Sequence, residues 1–406
     1  MSLTWKQLAL VAVTAVAAST YSCDQAIKAP VESTEGEDAV LADGTAFSRS
    51  ALLEAFGSCI VSELENFKEQ SRSFASVAAA AAVEPAQREA AQEAWRTTID
   101  AWQQLEVMQV GPAGKSTQPG GQGWRDTFIY TWPLNDYCAI DRYLVSEEYS
   151  SDTGEVKSTA NGLAAAEYLL FYSGNANFCE ADDEINVSGS WDMVAGSALT
   201  SRRASYAAFA AETVAEAANA LFNAWSPSGE NFVAELAQAG EGSRTYGKKR
   251  VAVNALSDAL FYIEWNTKDN KLARPLGLIG CDQDLCPELV ESRYGRRSKE
   301  HLRNNIIGFR KLFVGCGPDN EGLGFDDFLY AVGQADLAEE IDRAALATIE
   351  AIDAIDEADL VTALAEDAQS VSEVHSALRQ LTDLLRSEFL IVLSLELPQM
   401  VQSDND

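Results

Sequence analysis

Histidine is nearly absent from this 406-residue chain, which carries only His301 and His375. A catalytic zinc site of the His-rich kind therefore has too few ligands to draw on. Basic residues are also scarce: 30 Lys and Arg stand against 62 Asp and Glu, a formal charge of −32. A nucleic-acid binder needs a basic face for phosphates, and a polybasic membrane-surface protein needs the same for lipid headgroups, so both classes are excluded. The sequence has no HExxH, GxSxG or Walker loop, and so lacks local support for zincin, serine-hydrolase or P-loop chemistry. Paired CxxC motifs of a zinc ribbon are missing too. Alternating strand patterns of any length are not found. What is present is a globular composition, 47% hydrophobic and 23% charged, with ample chain for a buried core.

The N-terminus reads as a targeting segment, residues 1–22. Lys6 precedes small and apolar residues from Leu8 to Ala18, too short a run to cross a bilayer as a mature helix but suited to a signal-peptide core. Thr20-Tyr21-Ser22-Cys23 follows and resembles a lipoprotein cleavage site, with Ser22 fitting and Thr20 and Tyr21 departing from the usual pattern. Plain secretion, with cleavage near Ala17 or Ala18, is the alternative. Cysteine parity favours lipid on Cys23: it leaves Cys59, Cys138, Cys179, Cys281, Cys286 and Cys316, an even set that can pair completely. Six cysteines allow fifteen connectivities, which the sequence does not fix; the expected one joins Cys281 to Cys286, near enough to staple one loop, and Cys138 to Cys179, which flank the helical stretch 159–172, with Cys59 and Cys316 left over. Residues 23–46 are acidic without apolar period and read as a lipidated tether. The expected location is the periplasm or cell surface, with membrane contact through the anchor.

From Phe47 onward helical patterning takes over. Leu52, Leu53, Phe56, Ile60, Leu64 and Phe67 step by three and four, one face of an amphipathic helix. Pro85 suits the first turn of a second helix running to about Met108, whose stripe of Trp95, Ile99, Trp102 and Leu105 reads as core. Gly111 to Gly123 is a Gly/Pro-rich break with no helix. Further helices are expected at 135–145, 159–172, 193–225, 232–238, 248–265, 299–313, 335–355 and 368–397. The Ser226-Pro227-Ser228-Gly229 break separates an N-terminal bundle, 47–225, from a C-terminal one, 226–397. The fold class is all-α, with antiparallel bundles as the natural packing.

Four segments carry a family resemblance. They are Trp102-Gln103-Gln104-Leu105-Glu106 leading to Gly111-Pro112; Trp132-Pro133-Leu134-Asn135 followed by Ala139 to Leu144; Asn161 to Phe171; and Glu291-Ser292-Arg293-Tyr294-Gly295-Arg296-Arg297-Ser298 continuing to Asn305, Gly308 and Phe313. In order and spacing they resemble the imelysin-like family of exported bacterial proteins, which includes peptidases and periplasmic components of iron uptake. The resemblance spans about 47 to 396 and implies two helical bundles with a cleft between them, lined by a GxHxxE signature. Here the matching stretch is Gly162-Leu163-Ala164-Ala165-Ala166-Glu167, so the histidine position holds Ala164. In the signature, imidazole and carboxylate lie three apart on one helical face and can share a metal or a proton. Alanine offers neither.

The candidate ligand residues are therefore Glu167, Glu106, Asp141, Glu291 and Arg293. Glu167 lies in an apolar stretch and needs a partner or a raised pKa; a structural pairing with Arg142 or Arg293 is the competing reading. His301 reads as a surface residue near a helix start, His375 as solvent-facing. The loop Gly315 to Gly322 lacks EF-hand spacing and reads as solvated. The leading expectation is a non-catalytic envelope protein binding a small ligand or a divalent or ferric cation. An imelysin-type metallopeptidase and a structural protein with an envelope partner are the alternatives. No catalytic residue is assigned.

Overall fold

The computed structural model describes residues 39–40, 46–150, 156–195, 198–398 and 401, all within one compact unit, Gly36–Asp406. The signal segment and Cys23 lie outside the described residues. The fold is all-α, as expected, apart from a two-residue ladder that pairs Ala39 with Phe47 and Val40 with Ala46.

Helix Arg49–Val83 begins where Ser48 caps it, its hydroxyl accepting from the Ala51 N–H at 3.1 Å. The expected stripe is buried, and Ala75, Ala78 and Ala81 continue it. Helix Leu199–Trp225 packs along it with its own buried alanines, Ala207, Ala210, Ala211 and Ala218. Small side chains on both surfaces let the two axes approach closely. Helix Arg88–Leu105 lies against the first, and helix Gly162–Phe171 lies against both Arg88–Leu105 and Leu199–Trp225. Trp95 and Trp102 are core, as their spacing predicts. Past the Ser226 break, Phe232–Ala237 and Lys249–Leu260 pack back on Arg49–Val83. A second set of helices, Ser298–Phe313, Ala335–Asp353 and Ala368–Leu384, follows.

The two sets meet where Ser298–Phe313 crosses Arg88–Leu105. Gly308 permits the crossing: a Cβ there would stand 2.2 Å from the Gln104 carbonyl oxygen. Three disulfides, Cys59–Cys316, Cys138–Cys179 and Cys281–Cys286, match the expected pairing.

Several boundaries differ from the sequence reading. The expected helix 248–265 ends at Leu260, and Ile263–Ala273 then winds as a π-helix. The last helix stops at Leu384 and passes through a π turn, Leu385–Phe389. The break after Met108 contains one 3₁₀ turn, Gly111–Ala113, fully buried. Short helices Phe325–Ala331 and Leu360–Glu366 had no clear period of their own.

Candidate functional site

Helix Gly162–Phe171 carries the first site residue. The Asn161 side chain caps it, and Gly162 enters at φ +74°, where a Cβ would lie 2.6 Å from the Ile129 carbonyl oxygen. Every residue from Gly162 to Leu170 is buried, so Glu167 has no solvent face to turn to. Its Oε1 accepts the backbone N–H groups of Tyr294 and Gly295 at 3.0 and 2.9 Å. Burial pushes the carboxyl up to about 7, more than these donors and nearby His301 pull it down. Neither expected arginine pairs with it. Arg142 binds Asp183, and Arg293 lies over the rings of Tyr137, Phe178 and Tyr294.

Glu106 and Glu291 belong to a buried polar network at the crossing of the two helix sets. Both are at most 1% exposed, as are Lys271 and His301. Lys271 Nζ stands 3.1 Å from Glu291 Oε2 and 3.5 Å from Glu106 Oε2. Arg125 closes on Glu106 with Nη2 at 2.7 Å. Tyr130 donates to Glu291 at 2.8 Å, and Gln103 donates to the same oxygen at 3.3 Å. Burial raises the Glu291 carboxyl, but Lys271, His301 and the Tyr130 hydroxyl outweigh it and hold the group well below the usual carboxylate range. Tyr130 lies in the field of Glu291, Glu167 and Glu106 together, and with burial they hold its phenol well above its ordinary range. The site thus gathers three carboxylates from three separate elements. Charges this deep require such pairing, because an uncompensated one costs several kcal/mol.

Asp141 and Arg293 serve other contacts. Asp141 accepts from the Tyr168 hydroxyl and the Phe178 N–H, both at 2.8 Å, and burial raises it to about 6 despite them. It ties the segment after helix Gly162–Phe171 to helix Tyr137–Ser146. Arg293 is half-buried, donating to the Glu288 carbonyl and the Tyr294 hydroxyl.

His301 overturns the surface reading. It is fully buried, with Nδ1 3.1 Å from Glu291 Oε2. Its Nε2 is buried without a hydrogen-bond partner among the described residues. The helix Ser298–Phe313 therefore brings an imidazole to the neighbourhood of Glu167, whose own helix has alanine at the signature position. Sequence reasoning missed Lys271, Arg125 and Tyr130 as well. The signal available for His301 was its place four residues before Asn305 and eleven before Leu312, on the face that Gly308 presses against the neighbouring helix. His375 is half-buried rather than solvent-facing.

Among the described residues, the one set of three ligand-type side chains close enough for a metal is Cys138, Cys179 and Asp183, and its two cysteines are joined as a disulfide. No helix among the described residues is long and apolar enough to cross a membrane.

The profile of the Imelysin family matches residues 60–387. This chain belongs to the imelysin family. Among solved structures it is similar to an iron-regulated protein A precursor from Parabacteroides distasonis, at 15% identity and TM-score 0.63, over 88% of this chain and 97% of that one. An imelysin-like protein from Psychrobacter arcticus is similar at 13% identity and TM-score 0.60, over 86% of this chain and 96% of that one. At such identities the likeness establishes the fold. No curated protein matches the chain in sequence.

Proposed function

We propose that this imelysin-family protein is an exported, lipid-anchored binding protein of the cell envelope, non-catalytic, that takes a small ligand or a metal cation at Glu167 and the nearby His301. One observation carries the reading: a buried imidazole with an unpartnered Nε2 lies in the field of the carboxylate that the family signature supplies. A neutral imidazole nitrogen suits a borderline transition metal, and a neighbouring carboxylate adds charge and a second donor. A link to iron accords with the description of the Parabacteroides relative as iron-regulated. The −32 charge would raise the local cation concentration around such a site.

The test is calorimetric titration of the purified mature protein with ferrous iron and zinc, beside Glu167→Gln and His301→Ala. Saturable binding by the natural protein, weakened at least about ten-fold in each variant, supports the reading. Binding unaffected by both substitutions rules the site out. Peptide cleavage that a chelator abolishes would replace the binding reading with that of a metallopeptidase.

A further inference from the structure

Four side-chain oxygens surround Lys271 Nζ. Gln103 Oε1 lies at 2.6 Å, Asn305 Oδ1 at 2.9 Å, Glu291 Oε2 at 3.1 Å and Glu106 Oε2 at 3.5 Å. Two are carboxylate and two are amide oxygens, all on residues excluded from solvent. The amides are themselves fixed: Asn305 Nδ2 donates to the carbonyl and side-chain oxygens of Gln103 at 2.8 and 2.9 Å, and Thr267 donates to Asn305 Oδ1 at 3.1 Å. Both amide oxygens are thereby aimed at one point. These four hard oxygens, two of them carboxylate, are part of the roughly six to eight that a calcium ion takes, and Arg125 holds the other oxygen of Glu106. The chain places its own ammonium there, delivered by the π-helix Ile263–Ala273.

We propose that Lys271 is a tethered cation which fills this cage and denies it to free divalent metal ions. The distances to Nζ suit an ammonium. A calcium ion, at about 2.3–2.6 Å from oxygen, needs the cage to contract, by about 1 Å at Glu106 and less elsewhere, and needs water to complete its roughly six to eight ligands; magnesium, at about 2.0–2.1 Å, needs a still tighter octahedral shell. The inference does not depend on Glu167 or His301 binding anything, so it can stand or fall apart from the proposed function.

Lys271→Met keeps much of the stem volume and removes the charge. Titration with calcium, by calorimetry and by thermal melts, should show one site at least about ten-fold tighter than any in the natural protein. Calcium should raise the melting temperature of Lys271→Met, magnesium should do so much less, and Lys271→Met/Glu291→Gln should lose the effect. If Lys271→Met folds poorly, calcium should restore its folding yield. A variant that folds at no calcium concentration, or folds and gains no calcium site, overturns the proposal. So does equal calcium affinity in the natural protein that Glu106→Gln/Glu291→Gln abolishes, since metal and ammonium would then share the cage.

Discussion

Glu167 shows how one residue joins stability to pH. Burial holds its carboxyl at about 7 when folded, against the ordinary carboxylate value when unfolded. Between those values the folded chain holds a proton that the unfolded chain has released, so the contribution of Glu167 to stability is full below the unfolded value and is lost as pH rises through the folded one. The difference is worth about 3 kcal/mol. Glu167→Gln cannot release that proton. Urea melts of both proteins at several pH values between about 5 and about 8 should show the natural protein losing that much relative to the variant. Parallel curves would mean that Glu167 is ionised in both states. The carboxylates of this site were legible because each interrupts an apolar or family-like segment. Lys271 was not, since Asn266-Thr267-Lys268-Asp269-Asn270-Lys271 reads as a polar loop and only the fold buries it. His301 was hidden for a related reason: its neighbours Lys299, Glu300 and Arg303 are charged, and the positions next along its face are Asn305 and Gly308, with an apolar residue only at Leu312.

At the scale of elements, the α-helices with a clean period of three and four were the readable part. Residues 263–273 escaped because a π-helix turns at a different pitch, which scrambles the pattern that a helix of ordinary pitch would display. The disulfides act on these elements at long range. Cys59–Cys316 ties the first helix to the loop after Ser298–Phe313 across 257 residues. Cys138–Cys179 closes a span of 41 residues around the signature helix. By the chain-entropy account each constrains the unfolded chain, Cys138–Cys179 by about 4 kcal/mol and Cys59–Cys316 by about 5.5 kcal/mol. Cys138→Ala/Cys179→Ala should accordingly lower the melting temperature by several degrees while Cys59–Cys316 still forms. A melting temperature equal to that of the parent protein would show that this bridge contributes nothing to equilibrium stability.

For the whole molecule, the balance of 62 acids to 30 bases governs behaviour in salt. Surface carboxylates repel one another, whereas the buried ion pairs are shielded from counterions. Raising sodium chloride from about 0.02 M to about 0.3 M shortens the Debye length severalfold and should raise the melting temperature. A fall in melting temperature would mean that exposed ion pairs outweigh the repulsion. The all-α architecture was legible from periodicity at this scale. The crossing of the two sets was not, because it rests on a single glycine, Gly308, and on the polar side chains buried beside it.

The winding of Ile263–Ala273 also fixes the chain length that this protein can tolerate. A π-helical stretch accommodates about one extra residue relative to α winding. Deleting one residue ahead of Lys271 would let the stretch relax to ordinary pitch, and each residue advances an α-helix by about 100°. The ammonium would then swing off the oxygen cage although no contact residue had been altered. Insertions and deletions in this short stretch should therefore be selected against more strongly than most single substitutions within it.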